Sequence, residues 1–256
     1  MNPVVESFER AAETYVDSCS VQRRIAERLA QRIACAEATP PQHVLEFGCG
    51  TGELTRLLAG QFPNARIVAT DASPKMTTVA KQTVTDSNVD FRTLVVDEET
   101  ASEPELTSDG FDLLASSMAL HWVADLEDVL PSILRLANRL AFSIPIEGTF
   151  ESWIAAHEKL GLSDGVRELF SEEAVSRWGE WLFPGHQFSV EFLDFQEPFA
   201  DPLDFVRQLK LAGAAYPRKG HLPVKNLRTI LKQFPNGIEV NYRVAFVEIA
   251  RNSVAT

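Results

Sequence analysis

Glu46-Phe47-Gly48-Cys49-Gly50-Thr51-Gly52 decides how this chain is read. The stretch follows an apolar run, His43-Val44-Leu45-Glu46-Phe47, and precedes a helical pattern from Glu53 to Ala59. A strand, a glycine loop and a helix in that order make a nucleotide-binding turn. The glycines stand at 48, 50 and 52, a G-x-G-x-G spacing rather than the dinucleotide G-x-G-x-x-G. Glu46 sits two residues before the first glycine. A pyrophosphate placed there would meet a carboxylate, and like charges repel. The loop suits a ligand with a cationic amino-acid end and no phosphate.

Working outward, strands and helices alternate. Strands are expected at 43–47, 65–70 (ending at Asp71), 89–96 (ending at Asp97), 111–116 and 139–144, with helices at 53–61, 74–83 and near 125–137. That alternation implies a parallel, doubly wound α/β sheet. Two further strands fit 188–197 and 238–250; the last alternates at period two and suits an antiparallel strand. Helical segments at 148–161, 164–180 and 202–234 fall between the late strands. Ahead of the core, 4–18 and 20–36 read as helices. In the second, Val21, Ile25, Leu29 and Ile33 form one apolar stripe, with Arg23, Arg24, Arg28 and Arg32 off it. The whole reads as one domain: N-terminal helices over 1–38, a cofactor-binding core over 43–145, a late strand with a helical lid over 148–236, and a final strand over 238–251.

The glycine loop resembles motif I of the class I S-adenosylmethionine (SAM)-dependent methyltransferases. That resemblance implies a Rossmann-like, mostly parallel seven-stranded sheet with an inserted helical lid. Ligands of such sheets lie beyond the carboxyl ends of the strands. The ends here carry Glu46 with Gly48, Cys49, Gly50 and Gly52; then Asp71, about 20 residues past the loop, where a carboxylate can accept both ribose hydroxyls. Asp97 follows the third strand and could accept from the adenine amino group. Ser116, Ser117 and Leu120 follow the fourth, where the methyl group would face its acceptor. The resemblance adds Ala72 and Met76 to the cofactor contacts. Each residue has a plainer reading: Asp71 as a cap for the helix at Pro74, Asp97 as one of a solvated acidic cluster with Glu98 and Glu99, Cys49 as a small residue filling a tight turn rather than a nucleophile. The order and spacing of the set favour a SAM site. One departure is Leu136-Ala137-Asn138-Arg139, where such enzymes often have a Pro-Gly-Gly turn.

Composition narrows the setting. The chain has 256 residues, 45% hydrophobic and 23% charged, enough for a sizeable core. No apolar run is long enough to span a bilayer, and no signal-peptide pattern opens the chain, so no membrane partner and a cytoplasmic site are expected. Three cysteines, Cys19, Cys35 and Cys49, lack metal-ligand spacing; no metal is expected. The net charge of −12 argues against nucleic acid. One window departs from it. Phe205 to Ile238 holds no Asp or Glu but has Arg207, Lys210, Arg218, Lys219, Lys225, Arg228 and Lys232, a local +7 in a chain otherwise at −19.

Four segments resemble a narrower family. They are Ser7-Phe8-Glu9-Arg10-Ala11-Ala12-Glu13-Thr14-Tyr15 with Val21-Gln22-Arg23-Arg24-Ile25-Ala26; Ser117-Met118-Ala119-Leu120-His121-Trp122-Val123-Ala124-Asp125-Leu126; Glu147-Gly148-Thr149-Phe150; and Leu209-Lys210-Leu211-Ala212-Gly213-Ala214. Together they are similar to the malonyl-acyl-carrier-protein O-methyltransferases of biotin synthesis. His121 and Asn241 depart from that family's usual Gln and Thr. The resemblance implies transfer of a methyl group from SAM to the free carboxylate of a malonyl thioester on acyl carrier protein. Such an acceptor is already ionised at neutral pH, so no general base is required. It further implies that Tyr15 and Gln22 lie over the cofactor, that Tyr15, His121, Trp122 and Thr149 border the acceptor, and that His121 and Trp122 align rather than abstract a proton. Plainer readings are a packing role for Tyr15 and Trp122 and a helix cap for Thr149. The acid-free window would steer an acidic carrier protein, with Arg207, Lys210, Arg218 and Lys219 first; otherwise it is a solvated face. Two other readings stand beside this: a methyltransferase for a free small acid, of the trans-aconitate type, and a non-catalytic SAM-binding protein.

Overall fold

Val44, Leu45, Glu46 and Phe47 are all buried, so β1 (His43–Phe47) lies inside a sheet covered on both faces. In the computed structural model, residues 5–6, 9, 20–36, 39–97, 99–103, 106, 110–211 and 224–252 are described, with backbone alone at 210–211 and 224–225. β2 (Arg66–Asp71) and β4 (Phe111–Ser117) flank β1 in parallel, with Val44 opposite Ile67 on one side and Leu113 on the other. β3 (Val89–Thr93) lies outside β2 and β5 (Ala137–Pro145) outside β4, also in parallel. β7 (Ile238–Ala250) runs antiparallel between β5 and β6 (Gln187–Phe199). The order is β3-β2-β1-β4-β5-β7-β6, a seven-stranded, mostly parallel sheet of the class I methyltransferase kind. The chain winds outward from β1 in one direction and from β4 in the other, so a crevice opens between their carboxyl ends.

Eight α-helices are named here: α1 (Ser20–Ala36), α2 (Glu53–Gln61), α3 (Pro74–Thr83), α4 (Leu126–Ile133), α5 (Glu151–Lys159), α6 (Glu172–Trp181), α7 (Pro202–Leu211) and α8 (Val224–Leu231). Alternate strand residues point to opposite faces and make two cores. Val44, Ile67 and Phe246 face α1 and α2, together with Trp153 of α5 and Phe205 of α7. Leu45, Phe47, Phe142 and Val247 face α4 and α6, where Trp178 is fully buried. Each such apolar side chain contributes about 1.5–3 kcal/mol by leaving water. The expected stripe of Val21, Ile25, Leu29 and Ile33 is entirely buried. The arginines off it are not idle. Arg24 donates to Gln196 O (3.0 Å), Arg28 and Arg32 grip Glu191 (2.8 and 2.6 Å), and Arg32 reaches Glu248 (2.8 Å), which Arg139 also binds.

Several boundaries differ from expectation. β3 stops at Thr93 rather than 96, because its neighbour β2 ends at Asp71, opposite Thr93. α4 ends at Ile133, two residues past the Pro131 that it accommodates. A 3-10 turn, Leu134–Leu136, then leads directly into β5 at Ala137, and Arg251 donates to the Leu134 and Arg135 carbonyls (3.1 and 3.0 Å). No Pro-Gly-Gly turn is needed there. The helix expected over 164–180 begins only at Glu172, where the Ser171 hydroxyl accepts from Ala174 N–H (3.1 Å). The stretch 202–234 holds two helices, and 212–223 lie outside the described residues, as does most of 4–18. Among the described residues no helix is long and apolar enough to cross a membrane.

Candidate active site

The glycine loop turns through left-handed backbone at Gly48, Gly50 and Gly52, with φ of +68°, +54° and +93°. A side chain is excluded at Gly48, where a Cβ would stand 2.1 Å from Ala119 Cβ, so the loop presses against the segment that leaves β4. At Gly50 the same construction meets nothing within 4 Å: here the backbone faces open space. Cys49 N–H donates to Thr70 O and Gly52 N–H to Cys49 O (both 2.9 Å). Asp71 finishes the cradle. Its Oδ2 accepts from Gly50 N–H (2.9 Å) and its Oδ1 from Ser73 N–H (2.8 Å). Burial raises the Asp71 carboxyl above its ordinary value, and those two donors oppose the rise.

A cleft that opens to solvent at its mouth lies above this loop. Gln22, Glu46, Gly48, Cys49, Gly50 and Ser117 line it, as the sequence led us to expect. Arg23 and Met118, not foreseen, line it too. Met118 adopts φ +53°, unusual for a side chain of its kind, and its N–H donates to Ser143 O (2.9 Å). That sharp turn ends β4 and brings Met118 into the cleft.

Glu46 is the most telling group. It is 1% exposed, and its Oε2 has no hydrogen-bond partner among the described residues. Burial pushes its carboxyl up to about 8; the Thr55 hydroxyl opposes this, without reaching hydrogen-bond geometry, and the Asp71 charge adds to it. Gln22 Oε1 is also buried without a partner among the described residues. Two orphaned acceptors in one cleft fit a cationic amino group, the donor set that the amino-acid end of SAM brings. Cys49 is no nucleophile here. Burial first, then the Glu46 and Asp71 charges, hold its thiol well above the usual range and keep it protonated.

The other expected residues are placed variously. Ser116 is buried and donates to Phe47 O (2.8 Å), locking β4 to β1; Leu120 and Met76 are buried, and Ala72 is half-buried beside Asp71. Asp97 is exposed and builds a turn, its Oδ1 accepting from Glu99 N–H, Thr100 N–H and the Thr100 hydroxyl (3.0–3.1 Å). His121 and Trp122 share a 3-10 turn after β4, their rings 4.8 Å apart. Burial, with the Arg167 charge adding, pulls the His121 imidazole down to about 3, and its Nδ1 is sealed without a partner among the described residues. Thr149 is 2% exposed; its hydroxyl donates to Arg243 O (3.0 Å) and accepts from Arg243 N–H (3.1 Å), pinning the loop after β5 to β7. It does not cap α5, whose N-cap is Phe150. Arg207 is exposed on α7 and paired with Asp204 (2.7 Å). Tyr15, Arg218, Lys219 and the Lys210 side chain lie outside the described residues.

A family model described as a methyltransferase domain matches residues 44–139. Among solved structures, a SAM-dependent methyltransferase from Anabaena variabilis superposes with a TM-score of 0.63 at 18% identity, over 98% of this chain and 96% of that one. At that identity it shows the fold. The biotin biosynthesis bifunctional protein BioCD of Bordetella avium is 34% identical over 95% of this chain, which spans about half (51%) of that longer relative. The malonyl-[acyl-carrier protein] O-methyltransferase of Neorickettsia risticii is 31% identical over 97% of this chain and 96% of its own length. A likeness that runs from end to end, through the glycine loop and on past the methyltransferase core, means that this chain belongs to the malonyl-[acyl-carrier protein] O-methyltransferase family.

Proposed function

We propose that this chain methylates the free carboxylate of a malonyl thioester carried by acyl carrier protein, using SAM, and so makes the malonyl methyl ester that enters biotin precursor synthesis. The observation that carries this reading is the end-to-end likeness to the Neorickettsia enzyme, which extends beyond the core into residues 148–236. When bound, SAM supplies an electrophilic methyl group on a cationic sulfonium, open to in-line displacement by a carboxylate oxygen.

The chain's own groups then have distinct tasks. Glu46 and Gln22 accept from the ligand's ammonium, and Arg23 offers its charge to the ligand's carboxylate. Asp71 receives the ribose hydroxyls; each oxygen has one backbone donor already and keeps acceptor capacity for another. Asp97 would accept from the adenine amino group. An imidazole held near 3 is a poor base at neutral pH, so His121 orients by hydrogen bonding, and Trp122 walls the cavity. Thr149 holds the loop after β5 in place beside them. Excluding water from a carboxylate facing a sulfonium strengthens their attraction.

The helices between β5 and β7 form the lid, and their acid-free window docks the acidic carrier protein. Arg207 remains usable there, because an exposed i,i+3 pair such as its contact with Asp204 is worth only about 0.2–1 kcal/mol. The test is methyl-ester formation from labelled SAM with malonyl carrier protein, malonyl-coenzyme A, free malonate and trans-aconitate. Ester on the carrier substrate is expected. Ester on trans-aconitate alone would move the chain to the free-acid class; no ester with any acid would leave a binding protein. Lys210→Glu with Arg218→Glu should lower kcat/KM for the carrier substrate more than for the coenzyme A substrate.

A further inference from the structure

We infer that Met118 is a cofactor-contacting residue: its side chain packs on the methionine-derived chain of SAM and so governs where the methyl group is presented. The inference rests on the SAM cofactor and not on which acid is methylated. Among the described residues, three that bear side chains take positive φ: Met118 (+53°), Asp125 (+47°) and Phe150 (+61°). Such backbone is strained for an ordinary side chain. Two of the three have a local reason for it. Asp125 is the N-cap of α4, its carbonyl accepting from Asp128 N–H and Val129 N–H (2.9 and 3.2 Å). Phe150 is the N-cap of α5 and packs its ring on Tyr242 and Phe205. Met118 caps no helix, and the 3-10 turn after it is capped by Ala119. It lines the cofactor cleft instead. Its neighbours hold it there. Met118 N–H donates to Ser143 O (2.9 Å) and to Ser143 Oγ (3.3 Å), and Ser143 is fully buried on β5, opposite Ser117. One residue further on, Ala119 presses on the glycine loop at Gly48. The left-handed turn is thus anchored to β5 on one side and to the cofactor loop on the other.

The cleft has a polar part and an apolar part. Glu46 and Gln22 supply the orphaned acceptors. Ala26 of α1 and Leu54 of α2, each 2% exposed, line the cleft together with Met118. Met118 also packs against the core to which both of those residues belong. The three make an apolar wall in a cleft whose acceptors suit an ammonium. The amino-acid end of SAM has the matching make-up: an ammonium and a carboxylate at its tip, then two methylenes running to the sulfonium. With the ammonium on Glu46 and Gln22, the methylenes are the part left for the wall. Methionine fits this task. It is unbranched and polarizable, it fills irregular gaps, and it brings no charge to oppose the sulfonium. Holding the methylenes narrows the positions open to the sulfur, on which in-line transfer depends. Strained backbone kept at a ligand-facing position, with no helix to cap, points to that use.

The test is calorimetric titration with two ligands. One is S-adenosylhomocysteine, the demethylated cofactor. The other is 5′-methylthioadenosine, which keeps the nucleoside and the sulfur but lacks the amino-acid chain. Met118→Leu should bind S-adenosylhomocysteine within about threefold of wild type, and Met118→Ala and Met118→Gly about tenfold more weakly, the worth of roughly two buried methylenes. All three variants should bind the fragment as the wild type does. Melting of the free protein should follow a different order: Met118→Gly should melt a few degrees above Met118→Ala, because glycine accepts the left-handed backbone. If both ligands weaken equally, or if Met118→Gly binds S-adenosylhomocysteine clearly more tightly than Met118→Ala, Met118 only shapes the turn and the inference is overturned. Wild-type affinity in Met118→Ala overturns it too. Should the fragment bind too weakly to measure, the order of the S-adenosylhomocysteine affinities decides alone. A wild type that binds neither S-adenosylhomocysteine nor SAM would remove the cofactor itself, and the inference would fall with it.

Discussion

In the cofactor cleft, polar groups arrive on the ends of parallel strands; on the acceptor side, they arrive on loops. Glu46, Asp71 and Ser117 close β1, β2 and β4, and backbone hydrogen bonds hold the loop they surround. His121, Trp122 and Thr149 stand on a 3-10 turn and a loop, held by side-chain bonds to carbonyls and by ring packing such as Phe150 on Tyr242 (4.9 Å) and Phe205 (5.4 Å). The difference separates two demands. Gripping one fixed cofactor needs a rigid frame, and a parallel sheet supplies it. Choosing one acid among many needs parts that can vary without disturbing that frame, and connecting segments supply them.

That contrast can be broken from the cleft side first. Gly48→Ala adds a Cβ where Ala119 already stands and forces φ +68° on a side chain. We expect a loss of about 2–5 kcal/mol, combining left-handed strain with overpacking. Calorimetry should show a melting temperature lower by roughly 5–15 °C; an unchanged value would mean that the loop yields as easily as the acceptor side. Asp71→Ala should weaken SAM binding by about 1.5–3 kcal/mol, through loss of charged acceptors. Titration giving wild-type affinity would remove Asp71 from the ribose.

Glu46 sharpens the comparison through pH. Its folded value of about 8 lies above the ordinary 4.5, so its protonated form favours the free folded protein fully below about 4.5, and that contribution is lost as pH rises through 8. Pairing with an ammonium needs the ionised form. Binding at neutral pH should therefore release a proton, and affinity should climb with pH until the ligand's own amine begins to titrate near ~8. Calorimetry in two buffers of different ionisation heat measures that proton; Glu46→Gln should abolish it and weaken binding about tenfold near pH 8, a loss on the scale of one charged hydrogen bond. The smallest effect belongs to the acceptor side. His121→Gln should keep kcat within about threefold, and a loss of around a thousandfold, the scale of general-base removal, would point to an acceptor that must be deprotonated.

The frame was far more legible in the sequence than the acceptor side, for a physical reason. Glu46, the three glycines and Asp71 sit at fixed steps along one strand–loop–helix unit, and the apolar stripe of α1 repeats every four residues, so pattern carries them. Arg167 has no such pattern. It lies where a helix was expected, and the turn at Asp164–Gly165 and the distant carbonyls of Trp122 and Val123 help to place it. Met118 was missed for a related reason: nothing in its neighbours announces a left-handed residue, which Ser143, across on β5, holds in place. Asp97 was read for a ligand; the turn it also builds with Thr100 has no sequence pattern of its own.

The arginines of α1 set an order of assembly. Arg28 and Arg32 reach Glu191 across 163 and 159 residues, and Arg32 reaches still farther to Glu248. During synthesis at ~5–20 residues per second, the glycine loop emerges many seconds before those partners exist. α1 carries Gln22 and Arg23 into the cleft, so the cleft is expected to be completed by the last segments made rather than the first. A nascent chain thus holds the whole nucleotide-binding turn before it can retain the nucleoside. A chain ending before β6 should likewise bind SAM much more weakly than the full chain in equilibrium titration; equal affinity would show that α1 seats itself without its distant anchors.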